Sequence, residues 1–466
     1  MARTERLEVT SPFDQKVVCT LNCDDEQSID RKIERARATF EKWRQVPLAE
    51  RIERVRAGVE RLATSGEDVA TAVSRQMGKP IEQARREVET FVARAAWAFE
   101  AAESSLAPEI LLSEDPSRQR RIEHHPLGVV LDIAAWNYPL LVPVNVIVPA
   151  LLAGNTVVLK HSERTPLTGQ AIARALRDPE FHDLVTEVVV PPFGAPRLVR
   201  DPRIAHVAFT GSVATGRRVV EEASGGLASV GLELGGKDPA YVAADIDLDF
   251  AVANVVDGAC YNAGQSCCAV ERVYVHRSVH DEFVDRARRV LAGYRMGDPL
   301  DDSTTLGPLA IRASLAFLER QVEDAVAQGA HLLLGGERVA GMTGNFFPPT
   351  LLVDVPNRSS LMQDESFAPI VAVRAVKDDD EAVALMRDTR FGLTASVWTA
   401  DPDRVDRVAR ELDCGTVFQN RCDWVDPSLP WSGCGESGRG ATMSRYGFLD
   451  LTRRKAFHLR PGPARG

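Results

Sequence analysis

The sequence predicts an α/β protein of two parallel-sheet domains with a small additional β element, and three observations carry that prediction. The chain has 466 residues. Domains cluster at about 100 to 150 residues and seldom pass about 250, so two or three are expected. Its 44% apolar and 26% charged residues are the balance of an ordinary globular protein, which buries a substantial core and leaves little room for disordered tails. Beyond Pro126, short runs rich in valine and isoleucine alternate with longer helical segments, the pattern of parallel sheets covered by helices on both faces.

In chain order, the polar start Met1 to Arg6 carries no apolar signal core or transit pattern. From Ser28 to Leu62 the apolar residues Ile29, Ile33, Ala36, Phe40, Trp43, Ile52, Val55, Val59 and Leu62 recur at three- and four-residue steps, and Pro47 divides them into two amphipathic helices. Val69 to Ala101 repeats that pattern and is interrupted at Gly78-Lys79-Pro80, so the N-terminal region reads as a helical layer. Ser105 to His125 is polar, contains Pro108 and Pro116, and reads as a linker or a protruding strand pair. The first alternating block comprises Gly128 to Ala134, Val144 to Leu152, Thr156 to Leu159, Pro166 to Leu176, Thr186 to Val190, Ala205 to Phe209 and Ala214 to Ala223. A second begins near Leu234 and runs through Ala240 to Val242, Arg272 to His276, His280 to Leu291, Leu315 to Gln328, Thr350 to Val353 and Ile370 to Val376. Leu451 to Leu459 is strand-like before Pro461-Gly462-Pro463, and peripheral strands of this kind commonly pair subunits.

Several function classes are set aside. The formal charge is −10, and the basic clusters Arg118 to Arg121 and Arg453 to Lys455 are short and interrupted, so no nucleic-acid partner is expected. The apolar stretch Pro126 to Gly154 contains Asp132, Asn137, Asn145 and several prolines, which argues against a membrane span. Eight cysteines without a signal peptide fit a reducing, cytoplasmic compartment and free thiols. Asp245-Ile246-Asp247-Leu248-Asp249 imitates the start of a calcium loop, but Phe250 replaces the glycine and Val256 the bidentate glutamate, so no metal site is expected.

Five segments offer chemistry. Cys267 and Cys268 lie in a short polar segment, Asn262 to Ala269, where a thiol reads either as a nucleophile or as a small core residue. Glu233 stands one residue before Gly235-Gly236, where the backbone turns tightly and a ligand approaches closely; a surface glutamate at a turn is the alternative. Trp136-Asn137-Tyr138-Pro139 ends the strand Gly128 to Ala134, and open parallel sheets place ligands at such ends, although asparagine there also caps helices. Gly211 to Gly216 lies between a strand and a helix, whose N-terminus suits a pyrophosphate, whereas Gly433 to Gly438 matches G-x-G-x-x-G without a strand before it or a βαβ unit after it and is rejected. Lys160-His161-Ser162-Glu163 offers a cation and a carboxylate at another strand end.

In this order, together with Gly307-Pro308-Leu309, Glu365-Ser366-Phe367-Ala368-Pro369 and Gly433 through Gly440, these segments resemble the aldehyde dehydrogenase superfamily from Ser11 to about Phe457. The resemblance implies a Rossmann-like NAD(P)-binding domain of residues 1–106 and 126–233, a catalytic α/β domain of 234–436, and an oligomerisation element of 107–125 and 437–466 in a homodimer or homotetramer. It implies cofactor contacts from Lys160 and Glu163 (adenosine ribose), Ser212 (pyrophosphate), Glu365 (nicotinamide ribose) and Phe367 (nicotinamide), with Trp136, Gly211, Gly216, Leu234 and Gly235 beside them. NAD is expected, because Glu163 repels a 2′-phosphate, with NADP admitted by Lys160.

The implied chemistry is self-consistent. Oxidising an aldehyde needs a nucleophile to form a tetrahedral adduct that expels hydride, and a Cys267 thiolate supplies it. The Asn137 amide and the Cys267 backbone N–H serve as oxyanion donors, each of a kind whose loss costs about 3 to 4 kcal/mol. Glu233 deprotonates the water that hydrolyses the thioester, which separates the chain from relatives that pass the acyl group to coenzyme A. Tyr138, Val142, Asn145, Ser266, Cys268, Trp424, Val425 and Trp431 are the expected substrate pocket. Arg421 either binds a substrate carboxylate, as for a semialdehyde, or pairs with Asp423. His161 stands where the family commonly has proline, Ala368 where it has glycine, and Gly435 where lysine is frequent.

Overall fold

Residues 5–112, 118–460 and 462 are described in the computed structural model. The extreme N-terminus Met1 to Thr4, Pro116, Pro461 and Pro463 lie outside them. A hairpin of Arg6–Thr10 and Val17–Asn22 opens the described chain. Its first strand alternates, with Leu7 and Val9 turned inward, but it is only five residues long and the second, Val17–Asn22, does not repeat the pattern, so the sequence reading passes over the hairpin.

The helical layer follows as expected. Helix Glu26–Trp43 starts where the Asp25 carboxylate accepts the Ser28 N–H at 2.7 Å, and it buries Ile29, Ile33, Ala36, Phe40 and Trp43. Leu48–Thr64 begins directly after Pro47. Gly66–Met77 ends at Gly78 in the left-handed conformation (φ 84°), after which Ile81–Leu106 runs back across the layer.

The first sheet carries, in spatial order, Gly438–Arg439, Ser229–Glu233, Ile204–Thr210, Val129–Ile133, Thr156–Lys160 and Val185–Glu187. All but Gly438–Arg439 are parallel. The chain leaves Val129–Ile133 toward one edge and, after Val185–Glu187, returns to build Ile204–Thr210 and Ser229–Glu233 on the other side. The order therefore reverses between Val129–Ile133 and Ile204–Thr210, and a crevice outside the strand ends at such a switch point is where doubly wound sheets bind ligands. Helix Leu141–Ala153, almost wholly apolar, is buried and too short to span a membrane. Among the described residues, no helix is long and apolar enough to cross a membrane.

The second sheet runs His331–Leu334, Thr350–Val353, Ile370–Val376, Val270–His276, Asp238–Val242, Thr394–Trp398 and Thr416–Gln419, parallel except for its first member. A third, antiparallel sheet pairs Glu109–Leu111 with Gln119–Pro126 and Gln119–Pro126 with Thr452–Leu459, so the protruding strand pair is present and the C-terminal strand joins it. One difference from expectation bears on the site. Residues 437–466 do not act as one piece, since Gly438–Arg439 pairs with Leu232 and Glu233 in the first sheet and only Thr452–Leu459 joins the third. Without that pairing, Ser229–Glu233 would present an open edge.

Candidate active site

The carboxyl end of the first large sheet and the loops that lead into three strands of the second, through Gly235, Cys267 and Phe367, face a continuous cavity of about 940 Å³. It is lined by Trp136, Asn137, Gly211, Ser212, Glu233, Leu234, Gly235, Cys267, Glu365 and Phe367. Every expected pocket residue also lines it: Tyr138, Val142, Asn145, Ser266, Cys268, Arg421, Trp424, Val425 and Trp431. Lys160, Glu163 and Gly216 do not. Lys160 ends the neighbouring strand with its ammonium 3.4 Å from Glu163, and Gly216 lies beneath, where an added Cβ would meet Leu234 at 2.6 Å.

Cys267 is held by an irregular loop. Helix Leu248–Cys260 ends in a tight turn in which Asn262 (φ 54°), Ala263 (φ 56°) and Gly264 (φ 71°) are all left-handed. The two non-glycine residues each store about 1 to 3 kcal/mol of strain, which the surroundings must impose. They do so through side-chain bonds. Gln265 Oε1 accepts from the Ala310 N–H (2.9 Å), Gln265 Nε2 donates to the Asn262 carbonyl (3.0 Å), and Asn262 Nδ2 donates to the Asn137 carbonyl (3.0 Å). Gly264 must be glycine, since a Cβ would collide with the Ala368 backbone. Gly236 has the same role opposite Cys267, whose carbonyl occupies the space a side chain would need.

Asn137 is not a helix cap. The N–H groups of Leu140 and Leu141 are met by Glu87 Oε1 (2.8 and 3.4 Å), which leaves the Asn137 amide free to face the thiol loop, where Nδ2 donates to the Gln265 carbonyl at 3.2 Å. Its own carbonyl accepts from Lys79 Nζ at 2.9 Å, and Lys79 is fully buried in an ion pair with Glu87. Lys79 also lies over the Tyr138 ring, 4.1 Å from its centroid.

Glu233 ends its strand and is gripped from the C-terminal segment. Its backbone pairs with Gly438, the Leu234 N–H donates to the Ser437 carbonyl (2.9 Å), and the Thr442 hydroxyl donates to Glu233 Oε1. Burial pushes the Glu233 carboxyl up to about 7, against the opposing pull of the Thr442 hydrogen bond and the Arg94 charge. The rejected Gly433 to Gly438 motif thus clasps the Glu233 turn instead of binding phosphate: Ser437 Oγ donates to the Gly235 carbonyl (2.7 Å) and accepts from the Gly392 N–H (3.0 Å).

The residues present fit a dinucleotide. Gly211 and Ser212 stand at the switch point, and Ser212 caps helix Val213–Ala223 by accepting the Thr215 N–H, so a helix N-terminus faces the cavity. Glu365 Oε1 accepts the Gly236 N–H (3.1 Å) directly over Gly235, where any side chain would collide with the carboxyl group. Burial and the nearby Glu271 raise the Glu365 carboxyl to about 8. Phe367 (φ 57°) meets Trp136 edge to face with ring centroids 5.6 Å apart. Its loop is shaped by Glu271, which accepts the N–H groups of Ser366 and Phe367 (both 2.8 Å) and pairs with buried Lys237. His161, at the proline position, is buried with Nε2 2.9 Å from the Pro139 carbonyl, and burial holds its pKa down at about 4. It therefore ties the Lys160–Glu163 loop to the loop of Asn137.

Comparison with known proteins now decides the family. The model of the aldehyde dehydrogenase family matches residues 1–457. The chain belongs to this family. A succinate semialdehyde dehydrogenase [NAD(P)+] of Escherichia coli K12 is 36% identical over 424 residues, covering 91% of each chain. A succinate-semialdehyde dehydrogenase [NADP(+)] of Deinococcus radiodurans is 35% identical over 468 residues, covering 99% of this chain and 98% of its own. Among solved structures, the lactaldehyde dehydrogenase of Escherichia coli superposes with a TM-score of 0.95 at 29% identity, covering 99% of this chain and 97% of its own. An NAD-dependent aldehyde dehydrogenase from Sinorhizobium meliloti gives 0.94 at 32% identity, covering 98% and 93%.

One expected pairing in this aldehyde dehydrogenase is corrected. Asp423 does not pair with Arg421; it accepts from Ser266 Oγ (3.0 Å) and Cys268 Sγ (2.9 Å) beside the thiol, and burial raises it to about 6. Its backbone is left-handed (φ 45°), which turns the carboxylate inward, while exposed Arg421 stacks 3.6 Å from the Trp424 ring centroid. Sequence reasoning also missed Lys79, Glu87, Arg94, Glu271 and Thr442. A signal existed for Lys79, a lone cation between glycine and proline at a helix break, and none separated Glu87 or Arg94 from solvent-facing helix residues.

Proposed function

We propose that the chain oxidises an aldehyde to the carboxylic acid with NAD(P)+, Cys267 acting as nucleophile, Asn137 as oxyanion donor and Glu233 as general base. The observation that carries this reading is the single cavity in which these three side chains meet Ser212, Glu365 and Phe367. Cys267 Sγ attacks the carbonyl carbon, and the adduct's oxyanion is met by Asn137 Nδ2 and the Cys267 N–H, donors fixed before substrate arrives. The nicotinamide, when bound, accepts the hydride. The thioester on Cys267 is then hydrolysed by water that Glu233 deprotonates, a carboxyl poised near neutrality by its burial. Gly211, Ser212, Glu365 and Phe367 would hold the cofactor across the switch point, with Lys160 and Glu163 at its ribose end; the Glu163 charge favours NAD and the adjacent ammonium admits NADP.

The semialdehyde relatives support a substrate that carries a second, acidic group. We assign a homodimer or homotetramer built on the third sheet, where Ile110, Leu111, Leu112 and Leu459 are exposed. We assign the cytoplasm as its compartment, since all eight thiols are free. The test is reduced-cofactor absorbance with NAD+ or NADP+ and a panel of aliphatic, aromatic and carboxylate-bearing aldehydes, for wild type and Cys267→Ala. Turnover by wild type alone is expected. No turnover of any aldehyde with either cofactor would leave a non-catalytic protein that retains the fold.

A further inference from the structure

Three cationic side chains line the cavity: Arg86, Arg94 and Arg421. Arg421 is exposed and stacked on Trp424, with Asp426 the acid that acts on it. Arg86 faces Asp257. Arg94 differs from both. It projects from helix Ile81–Leu106, on the face that also sends Gln83, Glu87 and Thr90 to the cavity, and one edge of its guanidinium is fixed by Asn145 Oδ1 (3.1 Å) and the Leu141 carbonyl (3.4 Å). Among the described residues no carboxylate forms an ion pair with it and its Nη2 makes no hydrogen bond, while its Nε is sealed from solvent without a partner. Glu233, Cys268 and Glu87 act on its charge from a distance, Cys268 being the neighbour of the reacting thiol.

A buried guanidinium with an unfilled donor is costly unless something completes it, and its planar fork matches a carboxylate. Neutral Asn145 orients the group without neutralising it. Glu233 balances part of its charge from across the cavity without closing a bond. We propose that Arg94 is the anchor for the terminal carboxylate of a short semialdehyde whose aldehyde end lies at Cys267. This rests on the aldehyde-oxidising reading and names the acidic group's receptor within the same cavity. It replaces Arg421, whose guanidinium is engaged at the mouth. Asn145 Oδ1 and the Leu141 carbonyl hold the anchor in place.

The experiment compares kcat/KM for a four-carbon aldehyde bearing a terminal carboxylate with that for butanal, at saturating cofactor, in wild type, Arg94→Met, Arg94→Lys and Arg421→Ala. Wild type should prefer the carboxylate-bearing aldehyde. In Arg94→Met that preference should collapse by about a hundredfold, mostly through KM, the size expected when one partner of a buried charged pair is removed. Arg94→Lys should recover part of it. Succinate should compete with butanal for wild type and lose that competition in Arg94→Met, a readout that a merely structural role would not move. Equal loss with both aldehydes, or a collapse in Arg421→Ala instead, overturns the assignment. A wild type that turns over butanal as well as its carboxylate analogue overturns the semialdehyde with it but leaves the thiol mechanism standing, and no turnover at all sinks that mechanism.

Discussion

Replacing Thr442 by valine should move the pH at which the enzyme begins to turn over, without touching the thiol step. The Thr442 hydroxyl donates to Glu233 Oε1, and this bond opposes the burial that raises the carboxyl to about 7. A hydrogen bond to a charged group contributes about 1.5 to 3 kcal/mol. One pKa unit corresponds to about 1.4 kcal/mol, so losing the bond should raise the Glu233 pKa by about one to two units. The sign follows because the bond favours the ionised form, which is the form a general base needs. At pH 7 the ionised fraction should fall from about one half to one tenth or less, and hydrolysis-limited turnover by about fivefold or more. The assay is a stopped-flow burst of reduced cofactor followed by its steady state, across about pH 6 to 9.5. The burst should keep its amplitude, the acidic limb of the steady state should move upward, and the rate should recover above it. The backbone bonds between Thr442 and Trp431 (both 2.9 Å) do not involve the hydroxyl and should survive. An unmoved limb, a limb moved to lower pH, or an equal loss at every pH would refute the reasoning.

Other outcomes follow from the same geometry. Lys79→Met leaves Glu87 buried without its counter-ion and should cost about 3 to 5 kcal/mol in denaturant unfolding, part of it regained in the Lys79→Met/Glu87→Gln double variant, which removes the charge and keeps an acceptor for the Leu140 N–H; equal stabilities of single variant and wild type would contradict the pair's role. Gly264→Ala combines a left-handed φ with a backbone collision and should lower the melting temperature by several degrees as it displaces the Cys267 loop. His161 is held neutral with a depressed pKa, so its contribution to stability is complete above its unfolded value and is lost as pH falls from about 6.5 toward 4. His161→Gln keeps a donor that does not titrate, and its stability curve should therefore fall less steeply than wild type across that window; parallel curves would show that His161 does not titrate on unfolding.

What the sequence revealed and concealed divides along physical lines. Thr350–Val353 and Ile370–Val376 are legible because they are largely buried on both faces and carry the apolar runs Leu351 to Val353 and Ile370 to Val373. Thr394–Trp398 is equally buried but begins with polar residues, since Thr394 Oγ1 donates to Asp238 Oδ2 (2.6 Å) and Ser396 Oγ to the Pro239 carbonyl (3.5 Å). Those hydroxyls are satisfied by a neighbouring strand that no periodicity reveals. The same holds at the site. Cys267, Glu233 and Asn137 stand in glycine-bearing or strand-end segments, where local pattern marks them. Arg94 and Glu87 lie mid-helix, where a charge reads as solvated until the partner across the layer is known. Asp423 was misread because adjacency to Arg421 in sequence suggests pairing, while its left-handed backbone turns the two side chains apart.

The clasp of Ser437, Gly438 and Thr442 on the Glu233 turn also has a bearing on the order in which the molecule is made. Glu233 is synthesised about midway, yet the groups that pair with its strand end and donate to its carboxyl lie 205 and 209 positions later. A growing chain can assemble the central strands of its first sheet and display Cys267 well before that clasp exists, with the edge beside Glu233 still open. On the proposed mechanism the hydroxyl that favours an ionised Glu233 is therefore installed last, so a C-terminally clipped chain that lacks it is expected to hydrolyse its thioester more slowly than the full chain.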